Sequence, residues 1–224
     1  MIYCPRAYLA MFKELINPDK ALIFRIVHRD NVAWIFANGM HSRNSSVRCP
    51  NYRTIGNPEL IDRRTTRSVV ISPGGTLSNY VPFYFTPFTP MMLNIKTGYG
   101  GVSQVPSEEI VIFVSSLREL NKINHKFVFT DRHAYLINAS FFNDLHYLSE
   151  IDWPILQNRD FRRDPDDPGK FERYQAEALV YNNVPVDAFL GAVCYTEEVK
   201  NSILEIASIC DVEMNVICER RWYC

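Results

Sequence analysis

A series of short β-rich runs, most of whose connections read as too short for a βαβ crossover, constrains this chain more than any other feature. The runs are ALIFRIVH (21–28), VPFYF (81–85), EEIVIFVS (108–115), KFVFT (126–130), RYQAEALVYN (173–182), GAVCYT (191–196) and VEMNVICE (212–219). Strands outnumber helices, and parallel neighbours need a crossover of a dozen or more residues. The pattern therefore predicts an α+β fold with a largely antiparallel or mixed sheet, not a doubly wound one. No GxGxxG follows the first strand and no GxxxxGK[ST] occurs, which argues against a Walker-type NTPase; PGG (73–75) and GYGG (98–101) read as turns.

Between the strands, Asp30 or Asn31 can cap a short helix that stops at Gly39. Residues 40–80 are polar, Arg-rich and broken by Gly and Pro, and are expected to be irregular and functional. TPFTPMM after the second strand reads as turns. ASFFNDLHYLSEIDW (139–153) has helical periodicity, and EEVKNSILEIAS reads as a helix between the last two strands.

The length of 224 residues and an apolar share of 47% suit one domain over residues 1–224 with a sizeable core. A net charge of −1 announces no global field for nucleic acid, so any such surface must be local. Six scattered cysteines without CxxC spacing and five histidines without HExxH predict neither disulfides nor a metal site. The first twenty residues lack a signal-peptide pattern and no segment is long and apolar enough to span a bilayer, so a cytoplasmic protein is expected.

Several stretches hold candidate chemistry. In RYQAEALVYN, strand alternation puts Gln175, Glu177 and Leu179 on one face and Ala176, Ala178 and Val180 on the other. A carboxylate between apolar residues needs a partner or a task. It is either a core Glu paired with an Arg or a reactive group. RIVHRDN (25–31) runs a strand with Arg25 and His28 into a helix start at Asn31, a natural receiver of phosphate or an ordinary corner. DRRTTR (62–67) clusters arginines inside the long loop. DFRRDPDDPGKFERY (160–174) alternates Arg162, Arg163, Lys170 and Arg173 with Phe161, Phe171 and Tyr174, a mixture that suits single-stranded nucleic acid. A fixed carboxylate, a phosphate-ready corner and an Arg loop are together compatible with cleavage of an N-glycosidic bond, in which positive charge builds on a ribose.

Taken in order, RIVHRDN, IGNPELI, GGTLSNYVPFYFTPFTPM, FVFTDRHA, FFNDL, DWPILQ, RDFRRDPDDPGKFERYQAEALV and the terminal RRWYC resemble the DarT family over about residues 17 to 224. That resemblance implies an ADP-ribosyltransferase-like split β core of two packed, mostly antiparallel sheets with peripheral helices. It implies a toxin that uses NAD+ as co-substrate, with no metal, to ADP-ribosylate thymidine in single-stranded DNA in a short sequence context and so block replication. Acceptors other than thymidine (guanosine, RNA or protein) and a non-catalytic nucleic-acid-binding domain stand as alternatives. The implied partners are single-stranded DNA and a DarG antitoxin with a macrodomain, and a monomer is expected. Glu177 matches the family's catalytic glutamate, and Arg64 its second essential residue in the loop that covers NAD+. Arg25, Val27, His28, Asn31, Arg64 and Tyr84 match the NAD-binding elements, although some relatives carry His where this chain has Arg25. Arg162, Arg163, Lys170 and Arg173, in the loop before Glu177, and His133 in TDRHA fall on the DNA side. Gly56 lies in the covering loop, where a larger residue could misplace Arg64.

Overall fold

The computed structural model describes residues 12–223. Most of the amino-terminal stretch read above, with Cys4 and Cys224, lies outside the described residues. Ten strands form: β1 Leu22–His28, β2 Met40–His41, β3 Tyr80–Tyr84, β4 Ile110–Ser116, β5 Phe127–Thr130, β6 Phe141–Phe142, β7 Glu177–Tyr181, β8 Asn183–Val184, β9 Gly191–Cys194 and β10 Val216–Cys218. Eight of them follow the order β10-β9-β4-β1-β3-β7-β5-β6, and β2 pairs with β8 apart from these. All neighbours are antiparallel except β9 and β10. The α+β expectation holds.

The split of the core is visible in the register. β1 pairs with β4 along its whole length, from Leu22 opposite Ser116 to His28 opposite Ile110. β3 pairs with β7 from Tyr80 opposite Tyr181 to Tyr84 opposite Glu177. Between β1 and β3 only Phe24 and Tyr84 pair. Pro82 explains why the ladder stops. Its carbonyl accepts from Arg25 Nη1 at 3.1 Å, so that edge of Pro82 faces β1. A strand residue aims its N and O to the same side, and proline has no N–H to offer there. The two half-sheets therefore share one bridge and part beyond it.

Both faces of β7 are buried, as the alternation requires. Ala178 and Val180 join the main core. Leu179 joins a smaller cluster with Val69, Leu77, Tyr80, Val128 and Ala134. Val69 and Leu77 come from the long polar segment, so that segment folds back over the face on which Glu177 stands. At the chain's end Trp222 meets Phe24 edge-on, with ring centroids 5.4 Å apart. The Tyr223 hydroxyl reaches the carbonyls of Ile110 and Val193 at 2.9 and 3.0 Å, across β4 and β9.

Several local expectations are corrected. Residues 40–80 are not wholly irregular: Pro58–Arg63 forms a helix, with Asn57 Oδ1 accepting from Leu60 N–H and proline at the first position. TPFTPMM is not simply turns, because Thr89 caps a helix over Pro90–Thr97 that ends at left-handed Gly98. Both begin with a cap residue followed by proline, a readable helix start. Residues 139–153 are not one helix but β6 and a 3-10 turn over Leu145–Glu150; the α-helix Trp153–Asn158 starts only after the Asp152 cap. The last strand is confined to Val216–Cys218. The helix expected after β9 forms over Glu197–Ile209, and the one after β1, Val32–Asn38, stops at Gly39 as expected.

Trp222→Ala removes a buried ring that wedges against β1. It should lower the unfolding free energy by about 3–5 kcal/mol, seen as a lower urea midpoint with an unchanged slope.

Candidate active site

Glu177 is the first residue of β7 and is 2% exposed. Its backbone N–H donates to Thr130 Oγ1 at 3.2 Å, which fixes the strand start. Tyr84 lies directly opposite in the register and so shares its face. Ala134 N–H donates to Oε1 at 3.0 Å, and Arg64 Nη1 donates to Oε2 at 2.8 Å.

Arg64 reaches this carboxylate because it ends the helix Pro58–Arg63. The cap residue Asn57 has a second bond: its Nδ2 donates to Gly100 O at 3.1 Å, tying the covering segment to the turn beyond the helix Pro90–Thr97. A Cβ on Gly56 would stand 3.3 Å from Ile61 Cδ1, on the helix that carries Arg64.

Burial pushes the Glu177 pKa up. The Arg64 guanidinium and the Ala134 N–H oppose it, and the carboxyl lies below its ordinary range. His133 is itself held below its ordinary pKa by burial, against the pull of Glu177. Its Nδ1 accepts from Tyr135 N–H at 3.2 Å, so the neutral ring carries its proton on Nε2. The 3.5 Å approach of Nδ1 to Glu177 is then a contact between two acceptors, and the formal charge facing Glu177 is that of Arg64. Burial, reinforced by Glu177, raises Tyr84 to about 12, so its phenol stays neutral.

Two cavities meet here. One of about 870 Å³ is lined by Arg25, Val27, Arg64, Tyr84, His133, Gln175 and Glu177. A second of about 590 Å³ shares Arg25, Gly56 and Arg64 with it and adds His41, Ser42, Arg48 and Ser78. Six buried side-chain atoms among the described residues have no hydrogen-bond partner. Four of them (Arg25 Nε, Arg64 Nη2, Ser42 Oγ and Ser78 Oγ) belong to residues lining these cavities. Buried polar atoms left unpaired are costly, and their gathering around one cleft suits a ligand rich in oxygen. Among the described residues no group of three or more His, Cys, Asp or Glu side chains could hold a metal ion.

The residues expected at the site from the sequence divide sharply. Arg25, Val27, Arg64, Tyr84, His133, Arg163 and Glu177 line the larger cavity together. His28 and Asn31 do not line it, because their side chains are engaged elsewhere. His28 Nδ1 accepts from Asp30 N–H and Nε2 lies 2.8 Å from Glu109. Asn31 clasps the backbone of Arg53, giving Nδ2–H to its carbonyl and taking its N–H on Oδ1, each at 2.8 Å. Asn31 thereby holds the covering segment from behind. In the loop before β7, Arg162 pairs with Asp160 and is 87% exposed. Lys170 also pairs with Asp160, and Arg173 pairs with Asp152 and Asp167. Arg163 makes no ion pair among the described residues and lies over the Phe171 ring at 5.0 Å. Sequence reasoning missed the Ala134 N–H, which carries no side-chain signal, and the cavity wall Tyr99.

The family model for the single-stranded DNA thymidine ADP-ribosyltransferase DarT matches residues 24–224. A DNA ADP-ribosyl transferase of Escherichia coli is 52% identical over 212 residues, covering 95% of this chain and 97% of the relative. The Thermus sp. 2.9 DarT in complex with ADP-ribosylated single-stranded DNA superposes with a TM-score of 0.85 at 33% identity, covering 92% and 98% of the two chains. The same Thermus protein in complex with NAD+ gives a TM-score of 0.82 at 32% identity, over 92% and 99%. A cleft between two half-sheets, an arginine clamped on a buried glutamate and a match along nearly the whole chain place this protein in the DarT family of single-stranded DNA thymidine ADP-ribosyltransferases.

Proposed function

We propose that the chain transfers ADP-ribose from NAD+ to thymidine in single-stranded DNA, with Glu177 and Arg64 as the catalytic pair. The observation that carries the assignment of these two residues is the buried Arg64–Glu177 contact at 2.8 Å, facing a cleft ringed by unpartnered donors. Glu177 remains ionised inside a mostly apolar wall, and each of its oxygens has one protein partner. A carboxylate has about four acceptor sites, so capacity is left for a ribose hydroxyl of the nicotinamide half.

As the bond between ribose C1′ and the nicotinamide nitrogen breaks, nicotinamide leaves with the bonding pair and positive charge grows on the sugar. A fixed, desolvated carboxylate stabilises that charge where it develops and needs no reorganisation. The thymine nitrogen then bonds to C1′ and its proton passes to solvent water at the open cleft. Arg64 cannot accept that proton, since a guanidinium stays charged. Its free Nη2 instead donates to the oxygen on which negative charge collects. Tyr84 supplies a neutral aromatic wall beside nicotinamide. Arg25 and Arg64, shared by the two cavities, are placed to meet the pyrophosphate where NAD+ passes from one to the other. Asn31 contributes by positioning the segment that carries Arg53, and a contact of His28 or Asn31 with NAD+ would go through the backbone.

On this reading one transferase domain spans residues 1–224. It acts as a monomeric cytoplasmic toxin that blocks replication and is opposed by a DarG-type macrodomain partner. Among the described residues no helix is long and apolar enough to cross a membrane.

Incubation with a thymidine-containing single-stranded oligonucleotide should retard it on a gel only when NAD+ is present. Glu177→Gln and Arg64→Lys should each cut turnover by roughly 10²–10³-fold while the protein stays folded. A shift that needs no NAD+, or that survives Glu177→Gln, would refute the assignment. A second expectation concerns acid. Because the folded pKa of Glu177 is depressed, its pairing stabilises the fold fully above the unfolded carboxyl value of about 4.3 and is lost as pH falls through the folded value. The stability difference between the protein and Glu177→Gln, measured in urea, should stay constant down to about pH 5 and shrink below about pH 4.

A further inference from the structure

Several large hydrophobic side chains stand exposed at the mouth of the larger cavity. Tyr52, Leu60, Leu93 and Tyr99 all line it and all rank among the exposed large hydrophobic side chains. Tyr99 is 74% exposed. It sits in the turn Gly98–Tyr99–Gly100–Gly101, whose three glycines have φ of 74°, 68° and 76°. Only glycine adopts such a run without strain, so the backbone path is one that holds the tyrosine outward. The turn is tied down rather than loose: Gly98 N–H donates to Asn94 O at 2.8 Å, and Gly100 O accepts from Asn57 at 3.1 Å.

The same mouth is lined by Arg163, from the loop before β7. Arg162, Lys170 and Arg173 of that loop are neutralised by Asp160, Asp152 and Asp167. Arg163 has no such partner among the described residues, and its guanidinium is braced over Phe171. The rim thus joins an outward aromatic ring to a cation that is open to an external anion.

A thymidine whose base reaches Glu177 draws its neighbours on the strand across this rim. We propose that the mouth is a stacking subsite for the nucleobase adjoining the target thymidine. Tyr99 takes the face of that base, and Arg163 takes the phosphate between the two nucleotides. The subsite rests on the cleft being a single-stranded DNA thymidine transferase site. Stacking on an aromatic side chain is tolerant of base identity, because every base has a π-face. The subsite therefore fixes the register of the strand more than its sequence.

The test uses the full chain, NAD+ and an oligonucleotide that the unaltered protein modifies, with each nucleotide flanking the target replaced in turn by an abasic one. At one flanking position the missing base should lower kcat/KM roughly tenfold, and Tyr99→Ala should lower it by a similar factor on the intact oligonucleotide. Combining the two should cost no more than either alone, since both remove the same stack. Tyr99→Phe, which keeps the ring face, should recover most of the activity that Tyr99→Ala loses. Arg163→Gln should reduce the slope of log affinity against log salt by about 0.7. Independent, multiplying losses at every flanking position, or full activity of Tyr99→Ala with the thermal unfolding of both proteins matched, would overturn the subsite. An oligonucleotide that the unaltered protein fails to modify with NAD+ would instead overturn the functional reading beneath it.

Discussion

The interrupted ladder between β1 and β3 is the constraint on which the rest depends. Two fully paired strands would close the sheet and leave no room for a ligand between its halves. Pro82 prevents that closure by presenting no N–H to β1, and Arg25 takes the carbonyl that would otherwise seek a strand partner. One pair, Phe24 with Tyr84, keeps the halves in register. Because Tyr84 is also opposite Glu177, the single bridge sets the distance from the cleft's edge to its buried carboxylate.

A buried carboxylate at that point would normally be a liability, since desolvation favours its neutral form. Here the long segment after β2 removes the problem by bringing Arg64 to it. The two possibilities for Glu177, a paired core residue or a reactive group, are therefore compatible. The pair keeps Glu177 ionised, and ionisation is the state in which it can stabilise a growing ribosyl cation. The same segment buries the strand face through Val69 and Leu77 and is clasped from behind by Asn31 on Arg53. Packing, charge and positioning are three outcomes of one fold-back.

Much of the architecture was readable from local pattern. The strand runs, the helix after β1 ending at Gly39 and the helix over Glu197–Ile209 follow from alternation, periodicity and capping residues. The helices at Pro58 and Pro90 carried a cap-then-proline signature that was masked by their many turn-forming neighbours. Residues 139–153 show the opposite error, where apolar spacing suited a helix but Phe141 and Phe142 were claimed by pairing with β5. The basic loop before β7 was readable as a cluster, but not which cation would be left unpaired. That depended on where Asp152, Asp160 and Asp167 came to lie.

Composition and patterning thus carried as far as an α+β domain, because residue types and strand alternation are local properties of the chain, and motif resemblance pointed to a transferase with Glu177 and Arg64 as its proposed catalytic pair. Tertiary structure alone decided that these two side chains, 113 positions apart, meet at 2.8 Å. It also decided that His28 and Asn31 turn away from the cavity and that Arg163 and Tyr99 share its mouth. Those outcomes depend on which polar groups find partners when distant segments pack together. No spacing along the sequence encodes that competition.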